Sequence, residues 1–380
     1  MNASQPSNPP PLALYVHWPF CVSKCPYCDF NSHVRDVVDQ DAWRKALLAD
    51  LAHEASLLPG RRLGSIFFGG GTPSLMPPET VAAVIDAATS AWSPVGDVEI
   101  TLEANPSSVE AARFADLAAA GVNRVSLGLQ ALDDAALQFL GRAHGVDEGL
   151  AALTTAQRHF GRVSFDLIYA RPGQSVAGWE TELTRALGFG TEHLSLYQLT
   201  IEPGTRFATL AAKGQLTIPD DDAAADLWEA TQSLTAAAGL PLYEVSNHAR
   251  PGAESRHNLA YWRYTDYAGV GPGAHGRRGG LATLRHKKPE NWMAAVERNG
   301  HGSQEETPLT ATERATEALV MGLRLAEGID LTRIDPGYLD AVAVDRLVSL
   351  GLMARAPDRL RVTAEGMPVL EAILREVVRP

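Results

Sequence analysis

Six short apolar runs, each followed by a stretch of helical periodicity, constrain this chain more than any other feature. The runs are Leu12–His17, Ser65–Phe68, Val98–Leu102, Arg124–Leu129, Val163–Ile168 and His193–Leu199. Their length and continuous apolar character are those of strands covered on both faces. Helical patterns fill the gaps, as at Ala42–Ser56, Pro78–Ala91, Val109–Ala119, Leu150–His159 and Gly178–Leu187. Such alternation builds right-handed βα units around a parallel sheet, so the fold class is α/β. It fits an open doubly wound sheet and a complete or partial TIM-like barrel equally. Both architectures gather the carboxyl ends of their strands on one rim. Gly69-Gly70-Gly71-Thr72, Glu103, Gln130, Asp166 and Gln198 fall at those ends.

The alternation weakens after Gly239, and Tyr243–Gly276 is rich in His, Asn, Tyr, Trp and Gly without a clear period. From Thr307 a new order begins: a helix at Thr310–Leu325, a second at Pro336–Leu350, a hairpin at Leu352–Val362 and a last helix at Ala364–Val377. That order predicts a small winged-helix-like α+β module. The expected division is a leader without fixed structure at 1–11, a core at 12–240, a junction at 241–306 and the terminal module at 307–380. Residues 305–380 hold 9 Arg and no Lys against 13 acidic residues, and the whole chain carries a net charge of −12. A polyanionic partner would be repelled, so no nucleic-acid binding is expected. No run approaches the ~18 apolar residues of a membrane span, and the opening residues lack an export signal. These features predict a cytoplasmic protein and leave peripheral contact with a membrane open.

The chain has 3 cysteines, Cys21, Cys25 and Cys28, all in the loop after the first expected strand. An odd, tightly clustered set is no disulfide framework and points to metal binding or redox chemistry. Three thiolates in a Cys-x₃-Cys-x₂-Cys loop can hold three irons of a [4Fe–4S] cube, whereas a closed ferredoxin site takes four. The fourth iron then stays open to another ligand. A Cys₃His zinc site completed by His17 or His33 is the competing reading, although structural zinc sites usually offer a second ligand pair and none is present.

At Tyr15-Val16-His17-Trp18-Pro19-Phe20-Cys21-Val22-Ser23-Lys24-Cys25-Pro26-Tyr27-Cys28 the chain resembles the radical S-adenosylmethionine (SAM) superfamily. More narrowly, it is similar to the family that holds the HemW haem chaperones and the oxygen-independent coproporphyrinogen III oxidases. The likeness continues through Gly69-Gly70-Gly71-Thr72-Pro73-Ser74, Leu127-Gly128-Leu129-Gln130, Phe165-Asp166-Leu167-Ile168-Tyr169 and the terminal module. It implies a partial TIM-like (β/α)₆ barrel with Cys21, Cys25 and Cys28 on a [4Fe–4S] cluster. It also implies SAM bound by Tyr15, Tyr27, Gly70, Gly71, Thr72, Glu103, Gln130, Arg142 and Asp166. Glycines suit such a site because bare backbone groups can approach a zwitterion closely.

The two branches of the family differ at one legible place. The oxidases carry a fourth cysteine two residues past the third, and here that position is Phe30. Oxidase activity, the conversion of coproporphyrinogen propionates to vinyl groups, is therefore the alternative rather than the expectation. His257-Asn258-Leu259-Ala260-Tyr261-Trp262 matches the His-Asn-x-x-Tyr-Trp stretch of the chaperone branch. By that resemblance His257, Tyr261 and Trp262 bind haem, with imidazole as axial ligand and flat aromatic faces against the porphyrin. Arg256 and Arg263 stand ready for the propionates, and His248, His275 and His286 are rival ligands. The resemblance implies haem as cargo and apo-haemoproteins as clients. An acidic adaptor with a merely structural metal is a further alternative.

Overall fold

The structure, a computed structural model, describes residues 9–35 and 37–379. Residues 1–8 of the expected leader lie outside them. All six expected strands form, as Leu12–Trp18, Arg62–Gly70, Ser93–Ala104, Arg124–Gln130, Arg162–Tyr169 and His193–Gln198. The α/β class of the sequence reading holds. The chain divides into two compact units, one of residues 1–165, 201–213 and 265–307, the other of 166–200, 214–264 and 308–380.

In the first unit Leu12–Trp18, Arg62–Gly70, Ser93–Ala104 and Arg124–Gln130 pair in parallel in that order. Leu14, Val16, Ile66, Phe68, Leu102, Val125 and Leu127 are fully buried. Each such side chain contributes about 1.5–3 kcal/mol relative to exposure, which explains why these strands show no polar alternation. Helix Gln40–Leu57 starts where the Asp39 carboxylate accepts from the Ala42 N–H at 3.0 Å. Helix Pro78–Ala91 starts with proline in its first turn, where the missing N–H costs nothing. The expected helix Val109–Ala119 is instead two short ones, Ser108–Ala111 and Phe114–Ala119.

The first strand is not an edge. Tyr267–Val270 pairs with it in parallel, placing Gly269 opposite Tyr15, and His275–Arg278 and Leu281–Arg285 follow antiparallel. Thus 265–306 of the stretch read as one junction extends this sheet, while 241–264 falls in the other unit. Gly269 hides the strand in the sequence. A Cβ there would stand 1.9 Å from the His275 carbonyl oxygen, so close backbone approach demands the residue that otherwise reads as a breaker.

In the second unit His193–Gln198 pairs antiparallel with Asn247–Ala249, which pairs with Leu242–Glu244. Residues 308–380 follow the expected order of helix, helix, hairpin and helix. Helix Ala311–Gly322 opens with a capping box between Thr310 and Glu313. The second helix proper starts only at Ala341, because Asp340 caps it; Pro336–Tyr338 is a separate 3₁₀ turn. Arg359–Val362 pairs with Met353–Arg355 and with Ile329–Asp330. Leu319, Val344, Leu347, Leu360, Ile373, Leu374 and Val377 close a core of their own.

Candidate functional site

The cysteine loop is pinned at its base and tied to the glycine turn. Phe20–Cys21 pairs in parallel with His33–Val34, closing the loop, and inside it the Cys28 N–H donates to the Cys25 carbonyl at 3.2 Å. The Gly71 N–H donates to the Trp18 carbonyl at 2.7 Å and the Thr72 N–H to the Phe20 carbonyl at 2.8 Å. All three cysteines are free and half-buried. Burial pushes the Cys21 and Cys28 thiols up, so a metal's positive charge is what would make thiolates of them.

Side chains are excluded from the glycine turn. A Cβ on Gly71 would stand 2.7 Å from the Phe20 carbonyl oxygen and 3.0 Å from the Cys21 sulfur. Gly70, at φ +115°, would put a Cβ 2.6 Å from the His17 ring. Gly71→Ala should therefore displace Cys21 and cost about 1–3 kcal/mol by overpacking. Urea unfolding together with iron content after reconstitution checks this, with both stability and iron occupancy reduced.

His17 is structural. Its Nε2–H donates to the Asn31 carbonyl at 2.9 Å, so Nδ1 is the acceptor, taking the Tyr15 hydroxyl at 2.9 Å. Burial lowers its pKa to about 4. With both ring nitrogens engaged, His17 does not suit the fourth position of a zinc site. His33 Nε2 lies 3.3 Å from Asn31 Oδ1. The Asn31 amide also donates at 2.9 Å to the carbonyls of Pro272 and Lys287, anchoring the far end of the cysteine loop.

Thr72, Glu103 and Arg142 converge on the same place. Thr72 Oγ1 donates to the Cys21 sulfur at 3.5 Å and accepts from Asn105 Nδ2 at 3.1 Å. Arg142 donates to the Cys25 sulfur at 3.4 Å, to Asn105 Oδ1 at 2.6 Å and to the Gly128 carbonyl at 3.1 Å. It also hydrogen-bonds Tyr27. Arg142 follows Gly141, in a turn packed on Pro26. The Glu103 carboxylate accepts from the Gly70 N–H at 3.3 Å. Gln130 ends its strand at φ +71°, and its Oε1, like Arg142 Nε, is buried with no hydrogen-bond partner among the described residues. Orphaned buried polar atoms beside a turn that admits no Cβ fit a polar, zwitterion-bearing ligand such as SAM.

Asn105 and Glu110 were not singled out in the sequence. Glu110 is buried, accepts from the Asn105 N–H at 2.8 Å and from the Ser74 hydroxyl, and so fixes Asn105 between Thr72 and Arg142. The Asn-Pro step after a strand was the available signal, since it marks a turn at the rim. Asp166 lies in the second unit, half-buried and three residues before the end of Arg162–Tyr169.

The His-Asn-x-x-Tyr-Trp stretch forms helix Arg256–Trp262, capped by Ser255, whose hydroxyl accepts from the Asn258 N–H at 3.3 Å. Asn258 and Trp262 both hydrogen-bond the buried Glu244, whose pKa burial raises. His257 and Tyr261, also four residues apart, share the neighbouring face. Arg263 does not stand ready for a propionate: its guanidinium grips Glu327 with two bonds of 2.8 Å. Of the rival histidines, His248 is 1% exposed and unsuited to an external ligand.

That burial also makes a pH prediction. His248 Nε2 lies 3.3 Å from Gln232 Oε1 and Nδ1 has no partner among the described residues, and desolvation lowers the pKa from 6.5 to about 4. Between those values the unfolded chain holds the extra proton, so stability falls as pH drops through that window and levels off below it. The loss by pH 4.5 is on the order of 2–3 kcal/mol. Urea unfolding at pH 7 and 4.5 should show a smaller difference for His248→Gln than for wild type.

Comparison with known proteins follows the same lines. The radical SAM superfamily model matches residues 15–184 and the HemN C-terminal domain model residues 309–369. "Heme chaperone HemW" of Escherichia coli strain K12 is 38% identical, the match covering 96% of this chain and 97% of that one. The chain belongs to the HemW family of radical SAM proteins. "Radical S-adenosyl methionine domain-containing protein 1, mitochondrial" of Bos taurus is 43% identical, over 97% of this chain and 88% of that one. The solved coproporphyrinogen III oxidase HemN from Escherichia coli shares the fold at TM-score 0.79 and 23% identity, over 97% of this chain and 90% of that one. HemW-family membership in the radical SAM superfamily implies SAM and a [4Fe–4S] cluster. Among the described residues, no helix is long and apolar enough to cross a membrane.

Proposed function

We propose that this chain is a haem chaperone, binding haem and passing it to apo-haemoproteins in the cytoplasm, with no nucleic-acid partner. The near full-length likeness to a protein named a heme chaperone carries the reading. In it, Cys21, Cys25 and Cys28 hold the [4Fe–4S] cluster, which supplies one-electron chemistry and an open iron for SAM. Gly70, Gly71 and Thr72 line the SAM amino-acid end. Glu103 and Asp166 accept from its ammonium or ribose hydroxyls, Arg142 pairs with its carboxylate, and Tyr15, Tyr27 and Gln130 complete the pocket. His257 is the axial haem ligand, Tyr261 lies beside it, and Trp262 anchors the helix through Glu244.

The domain assignment follows: leader 1–11, radical SAM core 12–240, the haem segment within 241–306 and the HemN-type module 307–380. Oxidase activity is disfavoured because Phe30 stands at the fourth cysteine position, its ring 59% exposed and offering no ligand atom.

Anaerobic reconstitution followed by haem titration tests the reading. Wild type should bind haem with an imidazole-type spectrum that His257→Ala loses, and should transfer haem to an apo-haemoprotein. Equal spectra for the two would remove His257 as ligand. Protoporphyrinogen formation at a catalytic rate would sink the chaperone reading.

A further inference from the structure

The last turn of helix Arg256–Trp262 opens onto a cavity of about 170 Å³ in the second unit, lined by Trp262, Arg263 and Tyr264 on one side and by the C-terminal module on the other. Its floor is apolar: Leu325, Ile329 and Ile334 line it and are buried. Its rim is charged, with Arg263, Arg333 and Arg359 against Glu327 and Asp330. Three guanidinium groups facing two carboxylates leave one positive charge over. That excess runs against the sign of the surrounding module, in which acidic residues outnumber Arg 13 to 9 over 305–380.

The cations are unequally engaged. Arg263 is held by both oxygens of Glu327. Arg359 stands 3.7 Å from the same carboxylate and reaches the Glu327 and Gly328 carbonyls at a long 3.4 Å. Arg333 makes no ion pair within 4.0 Å among the described residues, and donates to the Arg263 carbonyl at 3.2 Å. The Asp330 carboxylate is taken up by the N–H and hydroxyl of Thr332, at 2.9 and 2.6 Å.

A second observation marks the place. Tyr264 has φ +55°, a conformation costly for a residue with a bulky side chain, and its hydroxyl donates to Glu317 at 2.6 Å. Strain of this kind persists where the surroundings enforce it, and it concentrates at ligand clamps. Here it sits between the His-Asn-x-x-Tyr-Trp helix and the cavity.

We infer that this cavity receives the carboxylate edge of a planar apolar acid, with Arg333 and Arg359 as the receiving cations. Resting on the haem reading above, that acid is the porphyrin, and the edge is its propionates. The volume is below the ~300–1,000 Å³ of sites that enclose a drug-sized ligand, so it takes an edge and not the macrocycle. Apolar floor and cationic rim match the two faces of such an edge. A charge-assisted hydrogen bond from guanidinium to carboxylate changes affinity by roughly tenfold or more.

The test is titration of the full chain with haemin and with haemin dimethyl ester, whose propionates are blocked. Wild type should bind the acid at least about tenfold more tightly than the ester. Arg333→Gln/Arg359→Gln should bind both alike, through a weaker hold on the acid, while keeping the His257-dependent spectrum. Arg333→Glu is a second variant at an exposed side chain without an ion pair, and should abolish the preference even if the double variant folds poorly. An undiminished preference in Arg333→Glu, or no preference in wild type, overturns this assignment and leaves the haem reading standing. Failure of wild type to bind either porphyrin overturns both.

Discussion

Replacing Cys21, Cys25 and Cys28 together by alanine should abolish iron and sulfide uptake on anaerobic reconstitution, and SAM binding should fall with it. The effect is all or none because these three are the only cysteines in the sequence, and the cluster needs thiolates. The fold should survive, since the thiols are half-buried and the loop base is held by backbone pairing of Phe20–Cys21 with His33–Val34. On the proposed haem reading the variant should keep part of its haem binding, because His257 and Tyr261 stand on a different element from the cysteines. Iron and sulfide analysis, SAM equilibrium binding and haem titration on one preparation check all three. Loss of haem binding equal to the loss of iron would contradict the separation of the two sites.

Asp50→Ala is the stability counterpart, with an expected loss of about 3–5 kcal/mol. Asp50 is 0% exposed, as is Arg285, and its oxygens serve five donor groups. They accept from the Gly271 N–H at 3.1 Å, the Gly302 N–H at 3.0 Å and the Trp292 indole at 3.2 Å, and from Arg285 Nε and Nη2 at 3.4 and 3.3 Å. Glu54 shares the guanidinium at 2.7 Å. Alanine would leave buried donors unsatisfied and half of the neutralising charge gone. Asp50→Asn restores an acceptor without the charge and should fall between alanine and wild type. The urea midpoint reads the series, and an alanine variant within 1 kcal/mol of wild type would show that this network is not what secures the 265–307 segment.

How much of this was legible in the residues depends on whether the chemistry was local. The cysteine loop was, because its three thiols fall within eight positions and the glycine turn announces itself at a strand end. The βα alternation was legible too, since burial on both faces leaves continuous apolar runs. Asn31 and Asn105 were not, because what they do depends on carbonyls and guanidinium groups supplied from Pro272, Lys287 and Arg142. Arg142 carried no sign that it reaches a cysteine sulfur. The strand Tyr267–Val270 was hidden by the glycine its close packing requires, and Ser303–Pro308 by having no buried side chain to give it a pattern. Nor could sequence tell that Asn258 and Trp262 share one buried carboxylate, that of Glu244.

In the proposed function three cysteines hold an iron cube with one corner open to SAM. Reconstitute wild type under argon, determine iron, sulfide and zinc per chain, and record the reduced electron paramagnetic resonance signal with and without SAM. The expected result is about four irons and four sulfides per chain, as the cube requires, and a signal whose g-values shift when SAM is added. One zinc per chain with no bound sulfide, or a cluster signal indifferent to SAM, would contradict it.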